Sequence, residues 1–334
     1  MAATPLETAN RRQRLLKATS RAATGEARRL WRQVQAGNIR SSWAAQVPRL
    51  ATVIAGGQLL AGQTADEYVA TVLEQQEVDL GRDGVINPSG LVGVASDGRP
   101  LDTLLMQPTV TTLTSISDGA AAEAALSQGL AALLTIVATQ VEDAFRVAGT
   151  IAGATRGVQL YTRALSPPSC SRCVVLLGEV SSWRTAFKRH PRCDCIQVPL
   201  GSRQDTDAVT DPTAYFNSLS RAEQDRVFTI AGAQAIRDGA DLRRVVNVRR
   251  RAAGLSVADS IPGARRSLQR VELANGLNVP VTYSGRKKDR RVQLMPEAIY
   301  EVARDREHAL QLLAANGYIE EDWRARLMRT RGFV

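Results

Sequence analysis

Five residues that can bind a transition metal lie within one short stretch of the chain. Cys170 and Cys173 form a Cys-x-x-Cys pair, and after sixteen intervening residues the sequence continues with His190, Cys193 and Cys195. A Cys-x-x-Cys turn presents two thiolates to one metal, and zinc prefers four sulfur or nitrogen ligands in a tetrahedron. The stretch therefore predicts a zinc site formed by the four cysteines, with His190 either replacing one of them or orienting a thiolate. The spacing does not decide between these two ligand sets.

Disulfide bonds and a reduced, metal-free cluster are the alternatives to a metal site. The chain has four cysteines in total, and its N-terminal region lacks the basic start and apolar segment of an export signal. Leu15 and Leu16 stand among arginine and lysine residues instead. We therefore expect the protein to stay in a reducing compartment, where free thiols and metal binding are favoured over disulfides.

The sequence lacks the residues that catalytic zinc sites usually require. A catalytic zinc needs an open coordination position and a nearby general base, yet His190 is followed by Pro191 and Arg192 rather than by an acidic residue. The chain has only two histidines, which excludes the His-Glu-x-x-His motif of zinc proteases. The second, His308, lies among charged residues and is predicted on a solvated helix face. We expect a structural metal and no enzymatic activity.

The elements that must position these residues are predicted to be mainly α-helical. Aromatic residues make up only 4% of the chain, which favours helices packed through small and aliphatic side chains. Helical patterns cover residues 4–75 and 119–155, with an irregular connection over 83–108. Within 119–155, four apolar residues recur at spacings of three and four and are predicted to be core, namely Leu126, Leu130, Leu133 and Val137. The apolar part of this helix is about half the ~20 residues needed to cross a bilayer, so no membrane is expected.

Three domains are predicted along the chain. Residues 1–155 form a helical domain, 156–250 a small α+β module stapled by zinc, and 251–334 an extended basic region with short helices. In the module, residues 158–165 and 196–198 are predicted as paired strands, and Ser220 with Glu223 forms a capping box that opens a helix ending at Gly239. In the last region, irregular chain is predicted up to Leu294, followed by helices that begin near Pro296 and after Asp305.

The charge of the chain suggests an anionic partner. The formal net charge is +10 and the isoelectric point is about 10.0, which raises the local concentration of polyanions near the protein. Basic runs occur at residues 243–244, 249–251, 286–288 and 290–291. A nucleic-acid-binding zinc module is therefore an alternative function, although the arginine excess is also typical of high-GC codon usage. The basic runs are not interspersed with aromatic residues, and the sequence has no recognition-helix signature. Both observations favour non-specific contact with nucleic acid.

The cysteine stretch resembles the Mu F-like minor head proteins of actinobacterial phages. The residues that carry the resemblance are Leu165-Ser-Pro-Pro-Ser-Cys170-Ser-Arg-Cys173, Trp183, and Phe187-Lys-Arg-His190-Pro-Arg-Cys193-Asp-Cys195. Downstream, similar segments are Gly232–Asp241 with Val245-Val246-Asn247, and Leu294-Met-Pro296 with Asn316-Gly317-Tyr318. The resemblance covers residues 155–320 well and the N-terminal half loosely.

This resemblance implies a virion protein of a tailed-phage head. Such a protein is assembled in the host cytoplasm, incorporated in a small number of copies with the portal protein or the major capsid protein, and assists DNA packaging or ejection, with non-specific contact to packaged DNA. Some relatives are fused to a maturation protease or a toxin domain. A capsid maturation protease is therefore a further alternative, although this sequence supplies none of the catalytic residues of that domain.

Overall fold

The computed structural model describes residues 3–165, 169–184, 187, 190, 193, 195–202, 210–252, 270–272, 278–284 and 291–319. The protein is mainly helical, as predicted. Its helices, in chain order, are α1 (Pro5–Trp31), α2 (Ile39–Ala44), α3 (Val47–Gln63), α4 (Ala65–Glu74), α5 (Leu101–Leu105), α6 (Gln107–Ser117), α7 (Ala122–Ala154), α8 (Ser171–Val174), α9 (Pro212–Ser218), α10 (Arg221–Phe228), α11 (Ile230–Arg237), α12 (Leu242–Ala252), α13 (Pro296–Val302) and α14 (Arg306–Ala315).

Among the described residues, six strands form two small sheets. They are β1 (Leu160–Ala164), β2 (Ser181–Ser182), β3 (Ile196–Leu200), β4 (Arg270–Glu272), β5 (Asn278–Ser284) and β6 (Arg291–Leu294). The chain divides into two compact units, formed chiefly by the residues before and after Asp211. The three predicted domains stay a prediction.

The first unit is organised around α7, the helix predicted over residues 119–155. Leu133 and Val137 are fully buried in the core, while Leu126 and Leu130 are partly buried against it. By length and composition α7 is apolar enough to cross a membrane. A core helix passes the same test, and α7 packs against α1, α3, α4 and α6. It also carries the buried charged residue Arg146, so we describe it as the central helix of this unit.

Tryptophan side chains fill the space around α7. The rings of Trp31 and Trp43 meet edge to face, with centroids 4.8 Å apart, and Trp31 Nε1 donates to the Leu126 carbonyl at 3.1 Å. Gly129 allows this close approach, because a Cβ there would lie 2.7 Å from Trp31 Cζ2. Both tryptophans are therefore core residues of this unit.

Part of the connection predicted to be irregular is ordered. A short 3₁₀ helix spans Pro88–Leu91, and α5 occupies Leu101–Leu105 inside the predicted loop. Leu101 and Leu105 are buried, and the Leu105 carbonyl accepts a hydrogen bond from Trp43 Nε1 at 2.7 Å. Tertiary packing therefore orders a segment whose turn residues indicated a loop.

The predicted strand pair of the cysteine module is confirmed. Strand β1 pairs antiparallel with β3, in a register that places Ala164 opposite Ile196 and Leu160 opposite Leu200. Strand β2 pairs with the other edge of β1, giving the order β2-β1-β3. Cys195 directly precedes β3, so the pairing of β3 with β1 fixes the position of Cys195 within the first unit.

The second unit combines helices with an antiparallel sheet of order β4-β5-β6. These strands lie where the sequence indicated irregular chain, whereas the predicted helices after Met295 and Asp305 are confirmed as α13 and α14. The helix predicted from Ser220 to Gly239 is broken at Thr229, whose φ of 69° ends α10 before α11 begins. Thr229 Oγ1 lies 3.2 Å from Glu297 Oε1 on α13, a contact that helps hold this backbone conformation.

Candidate metal centre

The first cysteine pair is carried by the short helix α8. Cys170 caps the helix with extended backbone, and its carbonyl accepts the N–H groups of Cys173 at 3.0 Å and of Val174 at 3.2 Å. These bonds fold the Cys-x-x-Cys segment into the tight turn that metal-binding pairs use. The Cys173 side chain is 2% exposed, while Cys170 is exposed to solvent.

The second group of candidate ligands precedes β3. The His190 carbonyl accepts the Cys193 N–H at 3.1 Å, which turns the chain toward Cys195. Both cysteines are buried, with 1% and 0% exposure. Their Sγ atoms lie 2.6 Å apart, and all four cysteines of the chain are free thiols.

The structure brings the five predicted ligands together in two overlapping groups. The ligand atoms of Cys170, Cys173 and His190 all lie within 4.8 Å of one another, and so do those of Cys173, Cys193 and Cys195. Cys173 belongs to both groups. These donors are thiolates and an imidazole, which suit a soft or borderline transition metal, so the cluster can bind a metal ion.

Two arginines that the sequence did not single out surround the second group. From α7, Arg146 donates through Nε to the Cys195 carbonyl at 3.0 Å and through Nη2 to the Cys193 carbonyl. From β1, the Arg163 guanidinium donates to Cys195 Sγ and stacks over the Phe187 ring, 4.0 Å from its centroid. Both arginine side chains are buried.

The charges around Arg146 compensate for its burial. Its third hydrogen bond goes to Asp143 Oδ1 at 2.9 Å, and the two side chains are 6% and 3% exposed. Burial lowers the pKa of Arg146, but the neighbouring Cys195 and Cys193, followed by Asp143, raise it by more, so the net shift is upward. The guanidinium is therefore held as a cation beside the two thiols.

Local sequence carried no signal for these arginines. An arginine in a long helix ordinarily has its head group in water, and neither Arg146 nor Arg163 lies in a recognised motif. The one sequence feature that bears on Arg163 is its position in a predicted strand. The residues two positions before and after it lie on the same face of that strand. That alternation does not identify the atom that the guanidinium contacts.

The other histidine lies away from this cluster in sequence and has a local role. His308 is half-buried on α14, and its Nδ1 accepts the backbone N–H of Arg304 at 3.2 Å. The backbone N–H of His308 donates to Asp305 Oδ1 at 2.8 Å, and this bond caps the helix. His308 thus takes part in helix capping at the start of α14.

Comparison with known proteins gives no match. No protein-family model, no curated protein and no solved structure matches this chain. The resemblance to minor head proteins therefore stays a prediction, carried by the residues quoted above.

Proposed function

We propose that the cysteine cluster binds one structural zinc ion per chain. The observation that carries this proposal is the convergence of the five predicted ligands in two groups that share Cys173. Zinc has no redox chemistry and accepts thiolate and imidazole ligands in closed structural sites. Because such ligands come together only in the folded chain, the free energy of zinc binding adds to the free energy of folding.

The buried arginines affect the net charge that the ligand set can carry. A zinc ion with four thiolates carries a net charge of about −2, and replacing one thiolate by neutral imidazole leaves about −1. A buried charge is stable only when it is paired. The guanidinium groups of Arg146 and Arg163 supply two positive charges beside Cys193 and Cys195, and Asp143 pairs with Arg146 and neutralises one of them. Either ligand set fits this balance, and we propose Cys170, Cys173, Cys193 and Cys195 as the ligands, with His190 in a supporting position.

Metal content and substitution test the zinc site. We expect the chain purified without added metal to contain one zinc, measured by elemental analysis. Cys173→Ser should abolish zinc binding because Cys173 belongs to both ligand groups, whereas His190→Ala should keep most of it. Ser171→Ala, on the same helix α8, is the matched control. Loss of zinc in His190→Ala with retention in a cysteine variant would overturn the four-cysteine assignment, and a zinc-free native chain would overturn the site.

We further propose that the protein is a structural component of a tailed-phage head, bound to the portal protein or the major capsid protein, and that it has no chemistry of its own. Support comes from the resemblance of residues 155–320 to minor head proteins and from a ligand cluster composed mainly of cysteines. A general base beside the metal, as hydrolytic zinc sites require, is not among the five clustered residues.

Co-expression tests this function. The chain is produced with the portal and major capsid proteins of the phage that encodes it, and assembled particles are purified by sedimentation. We expect the chain to sediment with particles and the Cys173→Ser variant to be depleted from them. If the major capsid protein is cleaved only when the chain is present, the protein is a maturation protease and the structural proposal fails.

A further inference from the structure

Helices α11 and α12 form a helix-turn-helix in the second unit. They are joined by four residues, in which Gly239 has a φ of 98°. The Ala240 N–H donates to the Ala235 carbonyl at 2.9 Å, closing the end of α11. The Asp241 side chain then accepts the Arg244 N–H at 2.7 Å and caps the start of α12. Two short helices joined by a turn that contains glycine are the general form of this motif.

One side of α12 is locked into the core of the second unit. Its buried residues are Leu242, Val245, Val246 and Val248. Val245 and Val248 belong to one apolar cluster with Ala235 of α11, Ile299 of α13 and Leu313 of α14. This packing occupies the apolar side of α12 and leaves it unavailable to any partner.

The opposite side of α12 is cationic and faces solvent. Arg243, Arg244 and Asn247 are exposed, and the helix continues through Arg249, Arg250 and Arg251 without an acidic residue. By helical spacing, positions 250 and 251 fall on the same side as Asn247, whereas position 249 follows Val245 by four and falls on the packed side. Arg244 also donates to the Gly317 carbonyl, a neutral acceptor that leaves the positive charge of the guanidinium in place.

The geometry points to duplex DNA as the partner of this surface. We propose that α12 binds double-stranded DNA, mainly through contacts between its arginines and phosphates. An α-helix of eleven residues is roughly 16 Å long and about 10–12 Å wide with its side chains, which fits the major groove of B-form DNA, ~12 Å wide.

Two other polyanions fit this surface less well. The major groove of A-form RNA is too narrow to admit a helix. Binding to an anionic membrane by an amphipathic helix requires that its apolar side enter the lipid. The apolar side of α12 is packed against α11, α13 and α14 within the second unit. DNA therefore matches both the charge and the available side of the helix.

The binding is expected to show little sequence preference. Arginine contacts to phosphates position a protein on DNA and carry no base information. Asn247 is the one exposed amide among the described side chains of α12. This inference is independent of the zinc site and of the proposed role in phage heads, so its failure leaves both untouched.

A charge-matched pair of variants tests the proposal in the full-length chain. Positions 243, 250 and 251 recur on the same side of α12 at helical spacing from 247, and the test variant changes Arg243, Arg250 and Arg251 to Gln. The control changes Arg11, Arg14 and Arg21, which are exposed on α1, to Gln. Both variants lose the same three charges, so a diffuse effect of net charge must weaken them equally.

Fluorescence anisotropy with a labelled 20-base-pair duplex of random sequence measures binding at several salt concentrations. For three lost phosphate contacts we expect the α12 variant to bind about 10²-fold more weakly near 0.1 M salt. Its plot of log K against log salt should be less steep by about 2.7. The α1 variant should bind like the unchanged chain. Circular dichroism should give both variants the same helical signal.

Three outcomes would overturn the proposal. They are equal weakening by both triple variants, binding of an RNA duplex of the same length as tightly as the DNA, and binding of the unchanged chain to phosphatidylserine vesicles but not to DNA. Each would assign the charge of α12 to something other than a DNA-binding surface.

Discussion

Replacing Arg146 by methionine should lower the thermal stability of the first unit, because Arg146 is buried on its central helix α7. Met has a similar stem but removes the hydrogen bonds to the Cys193 and Cys195 carbonyls and the ion pair with Asp143. Removing one partner of a buried ion pair costs about 3–5 kcal/mol, because the remaining charge stays in a poorly solvated place. For a unit of about 200 residues, this lowers the midpoint of thermal unfolding by roughly 6–20 °C.

A second substitution on the same helical segment serves as the control. Arg156, just beyond the end of α7, pairs with Asp66 at 3.0 Å, and their side chains are 17% and 23% exposed. Because this pair is closer to water, Arg156→Met should cost about 1 kcal/mol or less. Arg146→Lys keeps the charge but cannot reach both carbonyls, so its stability should lie between that of the native chain and Arg146→Met.

The measurement follows thermal unfolding of the full chain by circular dichroism, with zinc content determined on the same samples. If Arg146 positions Cys193 and Cys195, Arg146→Met also loses zinc to a chelator faster than Arg156→Met does. Adding Asp143→Asn to Arg146→Met should recover part of the lost stability, since the uncompensated carboxylate is removed. Equal effects of Arg146→Met and Arg156→Met on both unfolding and zinc retention would refute this reasoning.

Three further predictions concern packing, capping and metal removal. Gly129→Ala should destabilise the protein by about 1–3 kcal/mol in urea unfolding, since its Cβ would meet Trp31. Gly149→Ala, on the same helix but with open space around it, should stabilise by about 0.5–1 kcal/mol; the opposite order would contradict the packing described. Ser220→Ala removes the capping box of α10 and should cost about 1 kcal/mol, and no change would show that the box is dispensable. Chelation of zinc should lower the midpoint of thermal unfolding, and re-addition should restore it; an unchanged midpoint would argue against a structural metal.

Sequence was a good guide wherever the determining interaction is local. The helix predicted over residues 119–155 appears as Ala122–Ala154, because its apolar periodicity and its lack of proline act over single turns. The capping box at Ser220 formed as predicted, since its two hydrogen bonds join residues three apart. The five candidate ligands were found because Cys-x-x-Cys spacing and the shared stretch are themselves local features.

Features set by distant residues were not predictable in the same way. The break at Thr229 interrupts a segment with good helical periodicity, and its backbone is held in part by Glu297, which lies 68 residues away. The strands β5 and β6 pair across a segment rich in turn signals, which the sequence indicated as irregular chain. In each case a contact between segments far apart in sequence decides the structure, and a local pattern contains no information about that contact.

The arginine content illustrates why total charge is a weak guide to partners. Arg12, Arg146 and Arg163 are buried, and burial lowers the pKa of Arg12 to about 10. Arg12 donates to the carbonyls of Ala61 and Phe145 inside the helical unit, so these three cations stabilise the interior and are not available to an external polyanion. The field that a partner meets is set by exposed arginines such as Arg243 and Arg244, which lie on a helix whose other side packs in the core. A net charge of +10 therefore contains two separate contributions, one that compensates buried thiols and carbonyls and one that is available for binding, and only the local structure separates them.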